Sequence, residues 1–346
     1  MRIPHRFAGR AALCGVAAAL LLWGGPQPAP AAAVPARLGY IGISSDAGIF
    51  IAIDKGYFKE QSVEVSLERF GLGADQMALL GAGQLDVASG AVSPTMFNAI
   101  ARGLPIAVVA DKGSFRTGFG FNVLVVRKML VDGGQFKTLA DLRGRTLAVP
   151  GPGSILNFED YLVLKKGGLT PNDVRIEYID LADQPAAMAN GRLDAAIMVE
   201  PFATASEQRG IGKIVMPLDQ LLPEFQTSVI YFNTAWARAH ADQAKGWMVA
   251  YVKGLRYYNA ALRNRRIRDD VITIMAAHTP IKDRAVWDKM IWPGLNPNGT
   301  ATARTLLDYQ RWLLNEHQTS EFLPPARFLD TSYTEYATRI LGAWQP

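Results

Sequence analysis

The fold is indicated most clearly by residues 144–154, which read Gly-Arg-Thr-Leu-Ala-Val-Pro-Gly-Pro-Gly-Ser. The apolar run at 146–149 predicts a buried strand, and the glycines and prolines after it predict a tight loop. A helix follows, which Ser154 or Asn157 could cap. Because the N-terminus of a helix presents unpaired backbone N–H groups and the positive end of a dipole, this stretch predicts a loop suited to an anion.

Two further apolar runs end in polar loops. Residues 194–199 predict a second buried strand, which stops at Glu200 and Pro201. Residues 86–91 contain a third strand end, rich in small residues. Open α/β sheets bind small molecules at such strand ends, so the three loops together predict one ligand site.

The first 36 residues predict a secretory signal peptide that is not part of the fold. A basic head is followed by an apolar run at 11–23 that is short for a membrane span, and then by a cluster of alanines. We predict cleavage after Ala33 or Ala36 and a periplasmic location; the alternative is an uncleaved anchor. Cys14 does not predict lipidation, because Leu13 is too bulky for that motif and most of the apolar run lies after the cysteine.

The exported chain is predicted to be a soluble protein without disulfides. Cys14 is the only cysteine, and it lies in the leader. Removing Arg2, Arg6 and Arg10 takes the formal charge from +5 to +2, so the charge balance does not indicate nucleic acid as a partner. About 310 residues are enough for two lobes with separate cores.

Strands alternate with helices along most of the chain, which predicts α/β architecture with mostly parallel sheets. Predicted strands lie at 37–43, 63–67, 87–89, 106–110, 118–127, 146–149, 175–178, 195–199 and 227–233. The long apolar runs at 118–127 and 227–233 are interpreted as crossings between two lobes. From Ala235 onward the spacing of apolar and aromatic residues predicts mainly helices.

Five phrases, in this order, resemble the periplasmic solute-binding proteins of ABC importers, in the nitrate/sulfonate/taurine-type branch that includes thiamine-pyrimidine-like binders. They span roughly residues 37–205 and lie at 39–58, 80–88, 144–157, 165–174 and 190–202. The resemblance implies a two-lobed type II periplasmic-binding-protein fold that closes on its ligand. Lobe 1 would contain residues 37–124 plus 228–346, and lobe 2 residues 125–227.

The resemblance places several of these loops on the cleft between the lobes. The predicted ligand contacts are Ser45, Asp46, Phe50, Gly90, Ala91, Ser93, Phe121, Gly153, Ser154, Asn157 and Glu200. Each has a structural alternative: the serines and Asp46 can cap helices, the two phenylalanines can be core, and Glu200 can tie the hinge to a nearby Lys or Arg. Lys112 and Arg116 are interpreted as solvated loop charges, with an anion grip as the alternative.

The resemblance implies a receptor that delivers a small solute to a membrane permease. Hydroxyl and backbone donors in the loops indicate an oxyanion, and Phe50, Phe119, Phe121 and Glu200 indicate an organic body. We therefore predict a small organic anion, a sulfonate or a carboxylate, as the ligand. We expect a monomer that is not an enzyme and needs no cofactor; the four histidines at 5, 240, 278 and 317 lack the spacing of a metal site. One alternative is a binder of a neutral heterocycle such as a thiamine pyrimidine precursor. Another is a pyrimidine-synthesis enzyme of the same fold, and a third is a sensory protein.

Overall fold

Ten strands, numbered in chain order, build two five-stranded sheets in the computed structural model, which describes Met1 and residues 34–71 and 73–345. The first sheet contains β1 (Val34–Tyr40), β2 (Val63–Arg69), β3 (Val87–Ala91), β4 (Ile106–Phe115) and β10 (Phe225–Asn233). The second contains β5 (Asn122–Arg127), β6 (Thr146–Val149), β7 (Arg175–Tyr178), β8 (Ala195–Val199) and β9 (Gly212–Pro217). The strand orders are β2-β1-β3-β10-β4 and β7-β6-β8-β5-β9.

Helices flank both sheets. Those before residue 210 are α1 (Ala47–Asp54), α2 (Tyr57–Glu60), α3 (Gln76–Gly81), α4 (Pro94–Ala101), α5 (Lys128–Asp132), α6 (Ile155–Lys166), α7 (Gln184–Ala189) and α8 (Phe202–Gln208). Those after it are α9 (Thr234–Ala239), α10 (Ala241–Ala261), α11 (Arg265–His278), α12 (Arg284–Lys289), α13 (Ala303–Asn315), α14 (Pro325–Phe328) and α15 (Ser332–Leu341). Short 3₁₀ turns lie at Ser44–Asp46, Leu139–Leu142, Pro171–Asp173 and Leu218–Gln220. The predicted helical character after residue 234 is therefore confirmed.

Four strands of each sheet run in one direction and the fifth is reversed. In the first sheet β10 is antiparallel to both of its neighbours, and in the second sheet β5 is. These are the strands by which the chain enters a sheet from the other one. The remaining contacts, of β1 with β2 and β3 and of β6 with β7 and β8, are parallel. The predicted α/β class with mostly parallel sheets is confirmed.

The interior strands are apolar on both faces because each sheet has a core on either side. Along β5, Val123 and Val125 join one hydrophobic cluster, whereas Leu124 and Val126 join another that lies between the sheets. Such strands read as continuous apolar runs, which explains why most were predicted with bounds close to the observed ones. Strand β9 was missed, because Gly212–Pro217 is a short run without alternation.

The chain crosses between the sheets at 116–121 and 218–224. The run predicted as the first crossing, 118–127, overlaps the observed one only at 118–121 and otherwise forms β5. The run predicted as the second, 227–233, lies wholly within β10 and is not a crossing. The backbone N–H of Gly118 donates to the Asp219 carboxylate at 2.7 Å, so the two crossings lie side by side. The division into lobes that move as units stays a prediction.

Gly120 is expected to be intolerant of a side chain. A β-carbon at this position would lie 2.7 Å from the backbone nitrogen of Asp219 and closer still to its carboxylate. Gly120→Ala should therefore force the crossings apart and lower the free energy of unfolding by about 1–3 kcal/mol in urea denaturation. Gly71→Ala is a matched control, since its nearest neighbour would be an ordinary contact at 3.5 Å from Asp180. Equal stabilities of the two variants would contradict the prediction.

The predicted signal peptide lies almost wholly outside the described residues, but its cleavage site borders β1. Strand β1 begins at Val34, three residues before the predicted start, since residues 34–36 pair with 63–65 of β2. Ala36 is fully buried. Cleavage after Ala33 keeps the whole strand, whereas cleavage after Ala36 removes three paired residues. N-terminal sequencing of the exported protein should therefore start at Val34; a start at Arg37 would show that these pairs are dispensable.

No helix among the described residues combines the length and the hydropathy needed to cross a membrane.

Candidate functional site

A cavity of about 310 Å³ lies between the two sheets, within the size range of ligand pockets. From the first-sheet side it is lined by Ile41, Ile43, Gly73, Ala74, Ala91, Val92, Ser93, Pro94, Thr95, Thr227 and Ser228. From the second-sheet side it is lined by Phe121, Asn122, Pro150, Gly151, Pro152, Ser154, Ile155, Leu156, Leu181 and Val199. The loops after β1, β3 and β6 reach it, and so does Val199, the last residue of β8, so the three strand ends singled out in the sequence meet here.

Two helix N-termini, one from each side, open onto the cavity. Ser93 caps α4 by accepting from the backbone N–H of Met96 at 3.2 Å, and Ser154 caps α6 by accepting from that of Asn157 at 3.2 Å. A β-carbon on Gly153 would lie 3.1 Å from Pro94 Cγ, so the two helix starts lie close together. The caps occupy the N–H groups of Met96 and Asn157, and Pro94 has no N–H. The first turns therefore leave the backbone N–H groups of Thr95, Ile155 and Leu156 without an acceptor in their own helices and available to a ligand.

The lining is mainly apolar, and its polar side chains are uncharged hydroxyls and one carboxamide. A negative group bound here would therefore be stabilised by the helix N-termini and by hydroxyl hydrogens rather than by a guanidinium or ammonium. The apolar walls suit the body of an organic molecule.

Four of the predicted ligand contacts line the cavity: Ala91, Ser93, Phe121 and Ser154. The Phe121 ring also packs edge-on against Phe115 with ring centroids 5.6 Å apart. Prediction missed Asn122, Thr95, Thr227 and Ser228, among others. Polar residues in the first positions of otherwise apolar strands are the signal that could have found these residues: Asn122 is the first residue of β5, and Thr227 and Ser228 are the third and fourth residues of β10.

Ser45 and Asp46 belong to a buried polar cluster beside the cavity and are not part of its lining. Asp46 Oδ1 lies 3.0 Å from Lys112 Nζ and accepts from the Ser89 hydroxyl, while Ser45 Oγ accepts from Lys112 at 3.1 Å. Asp46 Oδ2 accepts from the backbone N–H groups of Gly42 and Ile43. The side chains of Asp46 and Lys112 are completely buried. The interpretation of Lys112 as a solvated loop charge is wrong, because the residue lies within β4 and reaches Asp46.

Phe50 and Gly90 also lie outside the lining. Phe50 is fully buried, stacked on His278 with centroids 4.7 Å apart, in the core on the outer face of the first sheet. A β-carbon on Gly90 would lie 2.7 Å from Gly73 Cα, so this glycine of β3 permits the close approach of the loop that contains Gly73. Phe50 is therefore a core residue, which is its structural alternative, and Gly90 acts only by giving room to Gly73, which lines the cavity.

Gly153 and Asn157 support the start of α6. The Gly153 N–H donates to Asn157 Oδ1 at 3.2 Å, and its carbonyl accepts from the Tyr309 hydroxyl. The positive φ of Gly153, 66°, favours glycine. Both residues thus hold the loop beside the cavity and tie it to α13.

Glu200 joins the two sides of the molecule through the backbone. Its carbonyl oxygen accepts from the hydroxyl of Ser44 at 2.7 Å, and its carboxyl accepts from the N–H and hydroxyl of Thr204 and from the N–H of Ile291. Burial raises the pKa of this carboxyl. Both carboxyl oxygens of Glu200 thus accept hydrogen bonds within the protein, and the donors are backbone N–H groups and a hydroxyl rather than a Lys or Arg side chain.

Arg116 also bonds within the protein. Its guanidinium donates to the Leu295 carbonyl at 2.9 Å, and the residue does not line the cavity.

Two adjacent carboxyls, Glu159 and Asp160, are buried on α6 behind the cavity. Asn122 Nδ2 donates to both oxygens of Glu159 at 3.0 Å. Neither oxygen of Asp160 has a hydrogen-bond partner among the described residues. Burial raises the pKa of both carboxyls well above the usual range.

These raised pKa values predict that stability falls with rising pH. Above the ordinary carboxyl pKa of about 4 the unfolded chain ionises these groups, whereas the folded chain retains their protons, so stability is lost as pH rises through the raised pKa. Asp160→Asn cannot ionise, and its melting temperature should fall less between pH 5 and pH 8 than that of the wild type. Asp141→Asn is the control, because backbone hydrogen bonds lower the pKa of that exposed carboxyl. Parallel curves for wild type and Asp160→Asn would contradict the prediction.

Within the described ranges no cluster of three or more His, Cys, Asp or Glu residues is placed so that it could hold a metal ion.

The two sheets with one reversed strand each, the flanking helices and the cavity at the strand ends define a type II periplasmic-binding-protein fold. Residues 44–261 match the NMT1/THI5-like family, and the chain belongs to this family. The family and fold implied by the sequence resemblance are thus confirmed.

Solved structures with this fold include binding proteins of import systems. The ligand-binding component of an ABC-type import system from Staphylococcus aureus, with zinc bound, has a TM-score of 0.73 and 19% identity, over 88% of this chain and 99% of that one. The alkanesulfonate-binding protein SsuA from Xanthomonas axonopodis pv. citri, bound to MOPS, has a TM-score of 0.69 and 17% identity, over 86% and 98%. At these identities the similarity concerns the fold alone.

Curated relatives match part of the chain. A Brucella abortus (strain 2308) protein named as a binding protein is 31% identical over 193 residues, 55% of each chain. A Schizosaccharomyces pombe 4-amino-5-hydroxymethyl-2-methylpyrimidine phosphate synthase is 27% identical over 154 residues, 44% of this chain and 40% of the enzyme. The matches span about half the length of these relatives or less.

Proposed function

We propose that the protein is the solute-binding receptor of an ABC importer and that it holds a small organic anion, a sulfonate or a carboxylate, between its lobes. One observation carries the proposal: a cavity enclosed by both sheets, onto which a helix N-terminus opens from each side. A ligand bound there would contact both sides at once, and so would favour the closed arrangement.

An organic anion fits the distribution of polarity in the cavity. The first turns of α4 and α6 offer N–H groups and partial positive charge to a sulfonate or carboxylate. Isoleucine, valine and phenylalanine side chains surround the rest of the space, which favours an apolar body over a bare inorganic anion.

The side chains that line the cavity favour a protein that binds its ligand over an enzyme that converts it. The polar ones among them are hydroxyls and a carboxamide, which orient a ligand by hydrogen bonds. We propose that the protein acts in the periplasm as a monomer, without its signal peptide, and delivers the solute to a membrane permease. The moving lobes would be those predicted from the sequence, residues 37–124 plus 228–346 and residues 125–227.

A neutral heterocycle is the second candidate ligand. The uncharged lining favours it, and the similarity to a pyrimidine phosphate synthase suggests a pyrimidine. An enzyme acting on such a compound would release a product, whereas a receptor returns its ligand unchanged.

A ligand screen tests the proposal. Thermal-shift measurements with sulfonates, carboxylates and pyrimidines should identify a stabilising compound, and calorimetric titration should give a one-to-one complex. Small-angle scattering with that compound should show a smaller radius of gyration than the ligand-free protein. Mass spectrometry of the released compound should find it unaltered. Absence of binding across all three classes, or turnover of the ligand, would contradict the proposed function.

A further inference from the structure

Hydrogen bonds from two distant parts of the chain converge on Glu200, directly after β8. The Ser44 hydroxyl donates to the Glu200 carbonyl oxygen at 2.7 Å, and the Ser44 N–H donates to the same oxygen at 3.3 Å. The N–H of Ile291 donates to the Glu200 carboxyl at 3.3 Å. Ser44 and Glu200 are buried, and none of the three residues lines the cavity. These bonds therefore join the two sides of the molecule without occupying the space for a ligand.

The segment around Ile291 is anchored on both sides. Its neighbours Met290 and Trp292 are buried in the core on the outer face of the first sheet, and the Trp292 indole N–H donates to the Trp287 carbonyl at 3.0 Å. The Ile291 side chain instead packs against the second-sheet cluster that contains Val123. One residue of a segment held by the first side thus reaches across to the second.

We infer that Ser44, Glu200 and Ile291 form a latch that stabilises the closed arrangement without contacting the ligand, an inference that rests on the proposed lobe movement. Ser44 and Ile291 belong to the proposed lobe 1 and Glu200 to lobe 2, so separation of the lobes breaks all of these bonds. Because one opening movement breaks them together, the loss of one bond favours exposure of the other groups. The latch thereby sets how much of the ligand-free protein is closed.

Hydrogen exchange of backbone N–H groups, measured by NMR on the ligand-free protein, tests the latch. Ser44→Ala removes the hydroxyl but leaves the Ile291 N–H and its acceptor in place. Exchange at Ile291 should become about fivefold faster, because the closed arrangement loses one net hydrogen bond. Exchange at Asn296 is the reference and should not change, since its N–H donates to the buried Asp111 carboxyl within lobe 1.

Ile291→Ala is the reciprocal test. It keeps the N–H at position 291 and removes the side chain that packs against the second-sheet cluster. Exchange at the Ser44 N–H, on the other arm of the latch, should then become about tenfold faster, because part of an apolar contact between the lobes is lost.

Ser206→Ala is a matched control for the hydroxyl. Ser206 is buried like Ser44, and its hydroxyl donates to a backbone carbonyl, that of Phe202, at 2.8 Å. This bond lies within α8 and does not cross between the lobes. The variant should leave exchange at Ser44 and Ile291 as in the wild type.

Three results would overturn the inference: unchanged exchange at the reporting N–H group in either latch variant, equal acceleration at Asn296, or the same acceleration in Ser206→Ala. The second and third would indicate general destabilisation rather than lobe opening. The exchange measurements need no ligand, so a negative result leaves the proposed receptor function intact. That function fails separately, when no compound of the ligand screen binds.

Discussion

Replacing Asp46 by alanine is expected to lower the free energy of unfolding of the ligand-free protein by about 3–5 kcal/mol. The substitution leaves the Lys112 ammonium buried without its counter-charge, at a position where neither side chain is exposed. It also removes the acceptor for the Ser89 hydroxyl and for the backbone N–H groups of Gly42 and Ile43. Urea denaturation followed by circular dichroism measures the loss.

The double variant Asp46→Ala/Lys112→Met provides the control for the charge. It removes both ions, so it should recover part of the stability that Asp46→Ala loses. Glu177→Ala, which breaks an ion pair with Arg192 at the surface, should cost far less. Wild-type stability of Asp46→Ala combined with lost ligand binding would contradict the structural role and support the original prediction of a ligand contact.

Replacing Ser154 by alanine is expected to weaken ligand binding by roughly tenfold to a hundredfold. Ser154 Oγ accepts from the Asn157 N–H, which leaves the hydroxyl hydrogen to donate into the cavity that the residue lines. A hydrogen bond to a charged group contributes about 1.5–3 kcal/mol, which corresponds to that range of affinity. Calorimetric titration with the compound found in the screen measures the change.

A helix-cap control separates affinity from stability. Ser154→Ala also loses a cap, at about 1 kcal/mol of stability. Asn264→Ala loses the cap of α11, where Asn264 Oδ1 accepts from the N–H groups of Arg266 and Ile267. It should lower the melting temperature similarly and leave affinity unchanged. If Ser154→Ala shows only this pattern, Ser154 is a cap and does not bind the ligand.

The α/β class and the strand–loop–helix unit at 144–166 were predictable because they depend on local properties. Strand β6 was predicted with its observed bounds, since a short apolar run between a glycine turn and a proline leaves few alternatives. Ser154 was one of two candidate caps, and the structure selects it because Asn157 lies three residues into the helix, where its N–H needs an acceptor.

The partners of buried charges were not predictable in the same way. Asp46 and Lys112 are 66 residues apart, and Asn122 and Glu159 are 37 apart. Each residue by itself resembles a cap, a solvated charge or a turn residue. The correction of Lys112 from solvated to buried follows from β4 extending to Phe115 in the middle of the fold rather than ending near Ala110.

The family, the alternation of strands and helices, and the loops that border the cavity were all predictable from the sequence, because periodicity, turn residues and caps act over a few positions. Which side chains of those loops reach the cavity depends on tertiary packing. Ser93 and Ser154 line it, whereas Asp46 and Glu200 are consumed by contacts within the protein. A polar group binds a ligand only where no closer partner satisfies it, and those partners come from distant parts of the chain that packing brings together.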